Sequence, residues 1–226
     1  LINMKHLLFL LIFLNFTTNI IIAQVFSFNE EVGNSEENHR ILIDKDYFVE
    51  TVYNSIDNQF IYTRGGFYTK TKNNFFHVIF EFNSNYEKDS LKEMTYSGIN
   101  KMEKISNLDQ KLEGKWLMAG RVGPSGEEKR RDTKRSRKTL KFLIDGHFQW
   151  TAYNTETLQF FGCGGGKYSA VKGDYNESIE YFSRDKTRVG KTLSFKYEEK
   201  GNDWYHSGFS SKGKPLHEIW TLRKTE

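Results

Sequence analysis

Residues 147–185, HFQWTAYNTETLQFFGCGGGKYSAVKGDYNESIEYFSRD, decide the fold because an earlier stretch repeats them. The earlier copy is FVETVYNSIDNQFIYTRGGFYTKTKNNFFHVIFEF, residues 48–82, which aligns with residues 148–182 without a gap at an offset of 100. The two copies share anchors in the same order: Phe48/Phe148, Tyr53/Tyr153, Gly65/Gly165, Gly66/Gly166, Ile79/Ile179 and Phe82/Phe182. A period this long is too coarse for a solenoid or a propeller blade, so it predicts two related units, each with its own core.

The composition indicates a β-rich, water-soluble product. Aromatic residues make up 15% of the 226 residues and there are only two prolines, while Thr, Tyr, Phe and Ile crowd into short runs. The formal net charge of +4 is mild. It supports solubility and a weak attraction to anionic surfaces, but it does not indicate nucleic-acid binding.

The beginning of the chain has the features of a secretory signal peptide, residues 1–23. Lys5 supplies the basic end, residues 7–16 form the apolar core, and Ala23 is a small residue suited to cleavage before Gln24. We therefore expect a secreted or periplasmic protein with no transmembrane segment after cleavage. A membrane anchor that is never cleaved is the alternative.

The remaining chain divides into four segments by composition and pattern. We expect a mobile polar leader, an N-terminal partial repeat, a polar linker and a complete C-terminal unit, at residues 24–40, 41–100, 101–111 and 112–226. The last segment has eight short strand-like runs at meander spacing, separated by turns such as Asp145-Gly146 and Lys200-Gly201-Asn202. Regular short strands without helices favour an antiparallel up-and-down barrel, whose closure removes exposed sheet edges.

Several motifs resemble the lipocalin superfamily: Gly114-Lys115-Trp116 before the first strand, the eight-strand meander, and Arg223 after the last strand. More closely, KTLKFL, FQWTAYNTETLQFFGCGGGKY and WYHSGFSSKGKPLHEIW resemble a Bacteroidetes-type family of secreted proteins with a lipocalin-like domain of uncharacterised function. The resemblance covers residues 112–220 and, more weakly, 42–82. It implies an all-β fold, with a lipocalin-like barrel preceded by a trimmed copy of the same unit. It also implies that Trp116 stacks under Arg223 to close the barrel floor.

Strand alternation places aromatic residues on one face of the second unit. Phe148, Trp150 and Ala152 share a face of one strand, and Trp204 shares a face with His206 on another. One interpretation is an aromatic-lined cavity for a ring-bearing or apolar ligand, with the candidate binding residues Phe148, Trp150, Tyr168, Tyr181, Trp204 and His206. The other is a core that the barrel fills with its own side chains.

A glycine run, Gly162 to Gly166, surrounds Cys163, the only cysteine. Clustered glycines in a strand mark a bend, a bulge or a close approach of another chain or ligand, and the first copy keeps only Gly65 and Gly66. We therefore favour bending over ligand contact. Cys163 corresponds to Thr63, so we expect a small buried residue and not a nucleophile.

A basic run between the first two strands of the barrel is the strongest electrostatic feature of the sequence. A loop at a barrel rim with such a charge is suited to an anionic ligand head or an anionic surface, through Arg130, Arg131, Lys134, Arg135 and Arg137. The alternative is a solvated loop without a partner.

No catalytic, metal or cofactor motif emerges. His147, His206 and His217 lie singly on different strands, and the acidic residues form no recognisable catalytic pair. An enzyme would need a buried carboxylate or histidine facing an open cleft. We therefore predict non-enzymatic binding of a small, partly apolar ligand, without metal or cofactor. The alternative is a structural or protein-interaction module of the bacterial cell envelope with filled barrels.

Overall fold

A computed structural model describes residues 23–105 and 110–224; the predicted signal peptide lies almost wholly outside this range. The described strands are β1 (Gln24–Val32), β2 (Ser35–Ile43), β3 (Tyr47–Asn54), β4 (Phe60–Lys70), β5 (Phe76–Asn83), β6 (Glu93–Tyr96), β7 (Glu103–Lys104), β8 (Gly114–Val122), β9 (Glu128–Arg130), β10 (Arg137–Ile144), β11 (His147–Asn154), β12 (Phe160–Val171), β13 (Asp174–Phe182), β14 (Thr192–Lys200), β15 (Asp203–Phe209) and β16 (Pro215–Leu222). Helix α1 (Tyr86–Asp89) and two 3-10 turns, Ile99–Lys101 and Lys186–Arg188, complete them. None of these described helices has the length to cross a bilayer.

The second unit is a closed antiparallel barrel of eight strands. Strands β10 to β16 pair in chain order, and β8 closes the barrel by pairing with both β16 and β10. Strand β9 forms a hairpin with β8 outside the ring. The lipocalin-like fold predicted from the sequence is confirmed.

One half of the barrel is filled with side chains. The inward residues of this half belong to one buried cluster that includes Trp116, Phe148, Tyr168, Tyr175 and Trp204. The chain that leads into β8 closes this end: the indole of Trp116 donates to the carbonyl oxygen of Leu112 at 2.8 Å, and the hydroxyl of Tyr168 donates to that of Lys111 at 3.2 Å. Lys111, the last residue of the predicted linker, therefore forms part of the barrel floor.

The first unit is an open antiparallel sheet of seven strands, in the order β6-β5-β4-β3-β2-β1-β7. The prediction of a mobile leader at 24–40 was wrong, because these residues form the β1–β2 hairpin. Val25 and Phe26 are buried, and the exposed part of the hairpin is held by cross-strand amides, with Asn38 donating to Asn29 at 2.7 Å. The predicted linker also contributes an edge strand, β7, paired with β1.

The duplication is visible in the backbone. Strands β3, β4 and β5 correspond to β11, β12 and β13, with bulges at the same positions, Val52/Tyr53 and Ala152/Tyr153 in one ladder and Gly65/Gly66 and Gly165/Gly166 in the next. The gap-free offset of 100 fails in the last strand. Between the equivalent pairs Gly66–Phe80 and Gly166–Ile179 the second hairpin is one residue shorter than the first, so Phe80 corresponds to Ile179 and Glu81 to Glu180.

The paired glycines serve the bulge, as expected. A Cβ atom on Gly66 would lie 1.9 Å from the carbonyl oxygen of Ile79, and one on Gly166 would lie 2.0 Å from that of Ser178. Any side chain would therefore push the neighbouring strand away.

The two units pack face to face through a mixed apolar cluster: Val25, Leu42, Tyr47, Val49 and Phe82 of the sheet against Leu117, Leu140, Phe142, Ile144 and Tyr153 of the barrel. The contacts come in reciprocal pairs. Tyr53 stacks on Tyr181 at 5.2 Å, and the corresponding Tyr153 packs on Phe82 at 5.0 Å. Phe60 stacks on its own counterpart Phe160 at 6.0 Å. When each contact recurs between the corresponding residues of the opposite units, the interface has the pattern of two-fold symmetry.

The two bulge glutamates each bind an arginine of the other unit. Arg40 donates to Glu180 at 2.9 Å, and Arg223 forms a bidentate pair with Glu81 at 2.7 and 2.8 Å. The guanidinium of Arg223 lies over the rings of Tyr47 and Phe67, at 5.6 and 4.7 Å from their centroids. The predicted stacking on Trp116 is therefore corrected: the buried carboxylate of the sheet holds Arg223 on the outside of the barrel.

Candidate functional site: the open half of the barrel

A cavity of about 430 Å³ occupies the half of the barrel opposite the floor. Its apolar wall includes Met118, Trp150, Phe182, Leu193, Leu216 and Trp220. These side chains come from five strands, β8, β11, β13, β14 and β16, because alternate residues of every strand point into a barrel. The barrel is therefore filled at one end and hollow at the other.

An ion pair forms part of the cavity lining. The ammonium of Lys141 donates to Glu177 at 2.7 Å, and both side chains are almost fully buried. The hydroxyl of Tyr175 donates to the same carboxylate oxygen at 2.9 Å. The ammonium also lies 5.1 and 5.0 Å from the ring centroids of Trp204 and Trp220, so aromatic faces share in stabilising its charge.

His206 is a buried polar group in the cavity lining. It is 2% exposed, lines the cavity and packs on Phe195 with ring centroids 4.1 Å apart. Within the described residues neither of its ring nitrogens has a hydrogen-bond partner, and the nearest carboxylate oxygen, on Glu218, is 3.6 Å away. Burial lowers the pKa of His206 and the charge of Lys141 lowers it further. The ring is therefore neutral near pH 7, with a nitrogen able to accept a proton or a hydrogen bond.

Arginines surround the mouth of the cavity: Arg121, Arg131 and Arg184 line it. Burial lowers the pKa of Arg131, and the neighbouring charges of Arg135 and Arg121 act in the same direction. The mouth is therefore electropositive.

The residues of the basic run lie in different environments of the structure. Arg130 lies in β9, where it pairs with Asp203 at 2.7 Å and Glu128 at 2.8 Å, so its expected role at an anionic surface is corrected. Arg131 lines the cavity. Lys134 lines a separate cleft of about 820 Å³ beside the first unit.

The predicted binding residues also separate into groups. Trp150 and His206 line the cavity. Phe148, Tyr168 and Trp204 belong to the filled half.

The prediction that Tyr181 lines the cavity was wrong, because its side chain lies on the outer face of the barrel. Its hydroxyl donates to Gln149 at 2.8 Å and its ring stacks on Tyr53 of the first unit. The bulge at Gly165/Gly166 inserts one residue into β13, which reverses the alternation beyond it. Phe182 therefore lines the cavity in place of Tyr181.

Sequence reasoning missed Lys141, Glu177 and Glu218 as cavity residues. A signal was available for the first: Lys141 interrupts the apolar run of β10 and alternates with Leu143, so it lies on the inward face. An inward charge within an apolar strand indicates a buried partner.

The first unit has no equivalent apolar wall at the position of Trp150, because Glu50 occupies it. Glu50 binds His39 at 2.9 Å, Arg64 at 3.0 Å and the hydroxyl of Tyr96 at 2.9 Å. This buried ionic network fills the corresponding space of the sheet.

The other residues considered for chemistry lie apart from the cavity. His147 is near Arg40 and Glu180 at the junction of the units, where burial and Arg40 lower its pKa to about 4. His217 packs against Tyr205. Cys163 is buried, which raises the pKa of its thiol. In residues 23–105 and 110–224, no three His, Cys, Asp or Glu side chains are grouped as a metal site would require.

Comparison with known proteins does not identify a family for this chain. No family model matches the chain, and a search of curated proteins finds no relative. The resemblance to lipocalin-like secreted proteins stays a prediction.

Proposed function

We propose that this chain is a non-enzymatic binding protein that holds a small, partly apolar ligand in the open half of its barrel. The observation that carries the proposal is the cavity of about 430 Å³, in which the buried His206 has no hydrogen-bond partner among the described residues. Ligand sites are typically concave, mostly apolar and about 300 to 1,000 Å³ in volume, with a few convergent polar groups. Trp150 and Leu216 supply apolar contact, and His206 supplies a polar one.

Export of the protein is part of the proposal. The basic, apolar and small-residue segments of residues 1–23 support it. Strand β1 starts at Gln24, so cleavage before this residue would leave the hairpin whole. The resemblance to secreted lipocalin-like proteins points in the same direction.

Native mass spectrometry of protein purified from its own source, followed by organic extraction, tests the binding proposal. We expect a co-purifying small molecule that is lost from the Leu216→Trp variant, because the larger ring fills the cavity. Val171→Trp is the matched control, since Val171 is 57% exposed on the outside. Ligand-free wild-type protein that also binds no fatty acid, retinoid or haem by calorimetry would refute the proposal and favour the filled interaction module.

One observation favours a second candidate, acid–base catalysis in the same cavity. His206 and Glu218 form the buried histidine and carboxylate that an enzyme would need, and the lowered pKa of His206, caused by burial, keeps it ready to accept a proton. His206→Gln distinguishes the candidates once a ligand is known. Conversion of the ligand by wild-type protein, abolished in a folded His206→Gln variant, would establish catalysis; unchanged ligand with wild-type protein supports binding.

A further inference from the structure

Four arginines lie close to one another: Arg131 and Arg184 line the cavity, and Arg135 and Arg137 are their neighbours. Arg184 donates to the carbonyl oxygen of Phe161 at 2.7 Å, Arg137 lies 3.4 Å from the centre of the Phe161 ring, and Arg135 donates to the carbonyl oxygen of Arg137 at 3.2 Å. Arg131 lines the cavity beside them. In the described part of the chain, no carboxylate lies within ion-pair distance of any of the four.

The charges of these arginines repel one another when no anion is bound. Burial lowers the pKa of Arg137, and the charges of Arg135, Arg184 and Arg131 lower it further. The Nη1 atom of Arg137 is buried and has no hydrogen-bond partner among the described residues. Repulsion among these charges destabilises the free protein, and a bound oxyanion would relieve it, since guanidinium groups bind carboxylate, sulfate and phosphate through paired N–H donors.

The charges inside the cavity set the orientation of such a ligand. Both carboxylates of the lining have cationic neighbours: Glu177 binds Lys141 at 2.7 Å, and Glu218 lies 3.7 Å from Arg121. Unpaired positive charge is therefore concentrated at the mouth.

We propose that the ligand is an amphipathic organic acid whose oxyanion binds Arg131 and Arg184 at the mouth, while its apolar body extends inward along Trp150 and Leu216. This inference rests on the proposed binding function. It adds the chemical class of the ligand and its orientation, with the acid group outward. Carboxylate and sulfate share the required chemistry, so the test includes both.

Isothermal titration with decanoate, decyl sulfate and decanol, which share one chain length, tests the inference. We expect at least one of the acids to bind about tenfold or more tighter than decanol, and Arg131→Gln to weaken that acid by about 10- to 100-fold, the range for one charge-assisted contact. Decanol affinity should not change in this variant. Arg130→Gln is the matched control, because Arg130 is the neighbouring residue and pairs with Asp203 and Glu128. The acid that binds tighter identifies the preferred oxyanion.

The outcomes separate the two proposals. Equal binding of all three probes, or an acid preference that survives both Arg131→Gln and Arg184→Gln, would overturn the inference and leave the binding function standing. Failure of all three probes to bind, together with ligand-free protein from the native source, would overturn both.

Discussion

Replacing Glu81 by alanine should destabilise the protein by about 3 to 5 kcal/mol, because it breaks a buried ion pair from one side only. Glu81 accepts two hydrogen bonds from Arg223, at 2.7 and 2.8 Å, and one each from the hydroxyls of Tyr47 and Tyr153, at 2.7 and 3.0 Å. The variant would leave Arg223, whose side chain is only 14% exposed, without its carboxylate. For a chain of this size the loss corresponds to a fall in Tm of roughly 6 to 20 °C. Urea unfolding and calorimetry measure both quantities.

The same prediction has a pH dependence. Burial raises the pKa of Glu81, but the hydrogen bonds and charge of Arg223 outweigh it, so the pKa is lowered overall. A carboxyl group whose folded pKa lies below its unfolded value, about 4.3, stabilises the protein above that pH and loses this contribution as the pH falls through the folded pKa. The difference in the free energy of unfolding between wild type and Glu81→Ala should therefore become smaller as the pH falls.

Glu180→Ala is the matched control for Glu81→Ala, since it removes the equivalent glutamate. The side chain of Glu180 is 28% exposed and accepts one hydrogen bond from Arg40, so its removal should cost less. A loss below about 1 kcal/mol for Glu81→Ala, or equal losses for the two variants, would refute this account of the interface.

Three further predictions concern the barrel floor, the bulge and export. Trp116→Ala should lower the free energy of unfolding by about 3 to 5 kcal/mol in urea titrations, and a loss below about 1 kcal/mol would show that Trp116 does not hold the floor. Gly166→Ala should lower Tm sharply, since its Cβ would lie 2.0 Å from the Ser178 carbonyl oxygen; an unchanged Tm would contradict the bulge geometry. Mass spectrometry of the exported protein should find an N-terminus close to Gln24, whereas an intact Met4 would disprove cleavage.

The barrel was predictable because its signals are local. Alternating apolar residues and turns such as Asp145-Gly146 define each strand without reference to distant residues. The β1–β2 hairpin was missed for the opposite reason. Beyond Val25 and Phe26 its residues are mostly polar, and the amide contact of Asn29 with Asn38 exists only once the two strands have paired.

Part of the site was predictable by the same rule. Alternation placed Trp150 and His206 on inward faces, where the structure has them. It failed for Tyr181, because a single bulge reverses the parity of everything beyond it. It also puts Lys141 on an inward face, but it does not identify the partner Glu177, which lies 36 residues further along the chain. Burying a charge destabilises the folded protein unless a partner such as this one pairs with it.

The reciprocal interface has an evolutionary consequence. In a dimer of identical chains every mutation appears on both sides, so the two halves cannot specialise. Here one polypeptide carries both halves, and the tether keeps them together at any dilution. Each half is therefore free to diverge: position 150 of the barrel is the tryptophan of an open cavity, whereas position 50 of the sheet is the glutamate of a sealed ionic network. The first unit packs against the outside of the barrel as an open sheet, and the second unit holds the cavity.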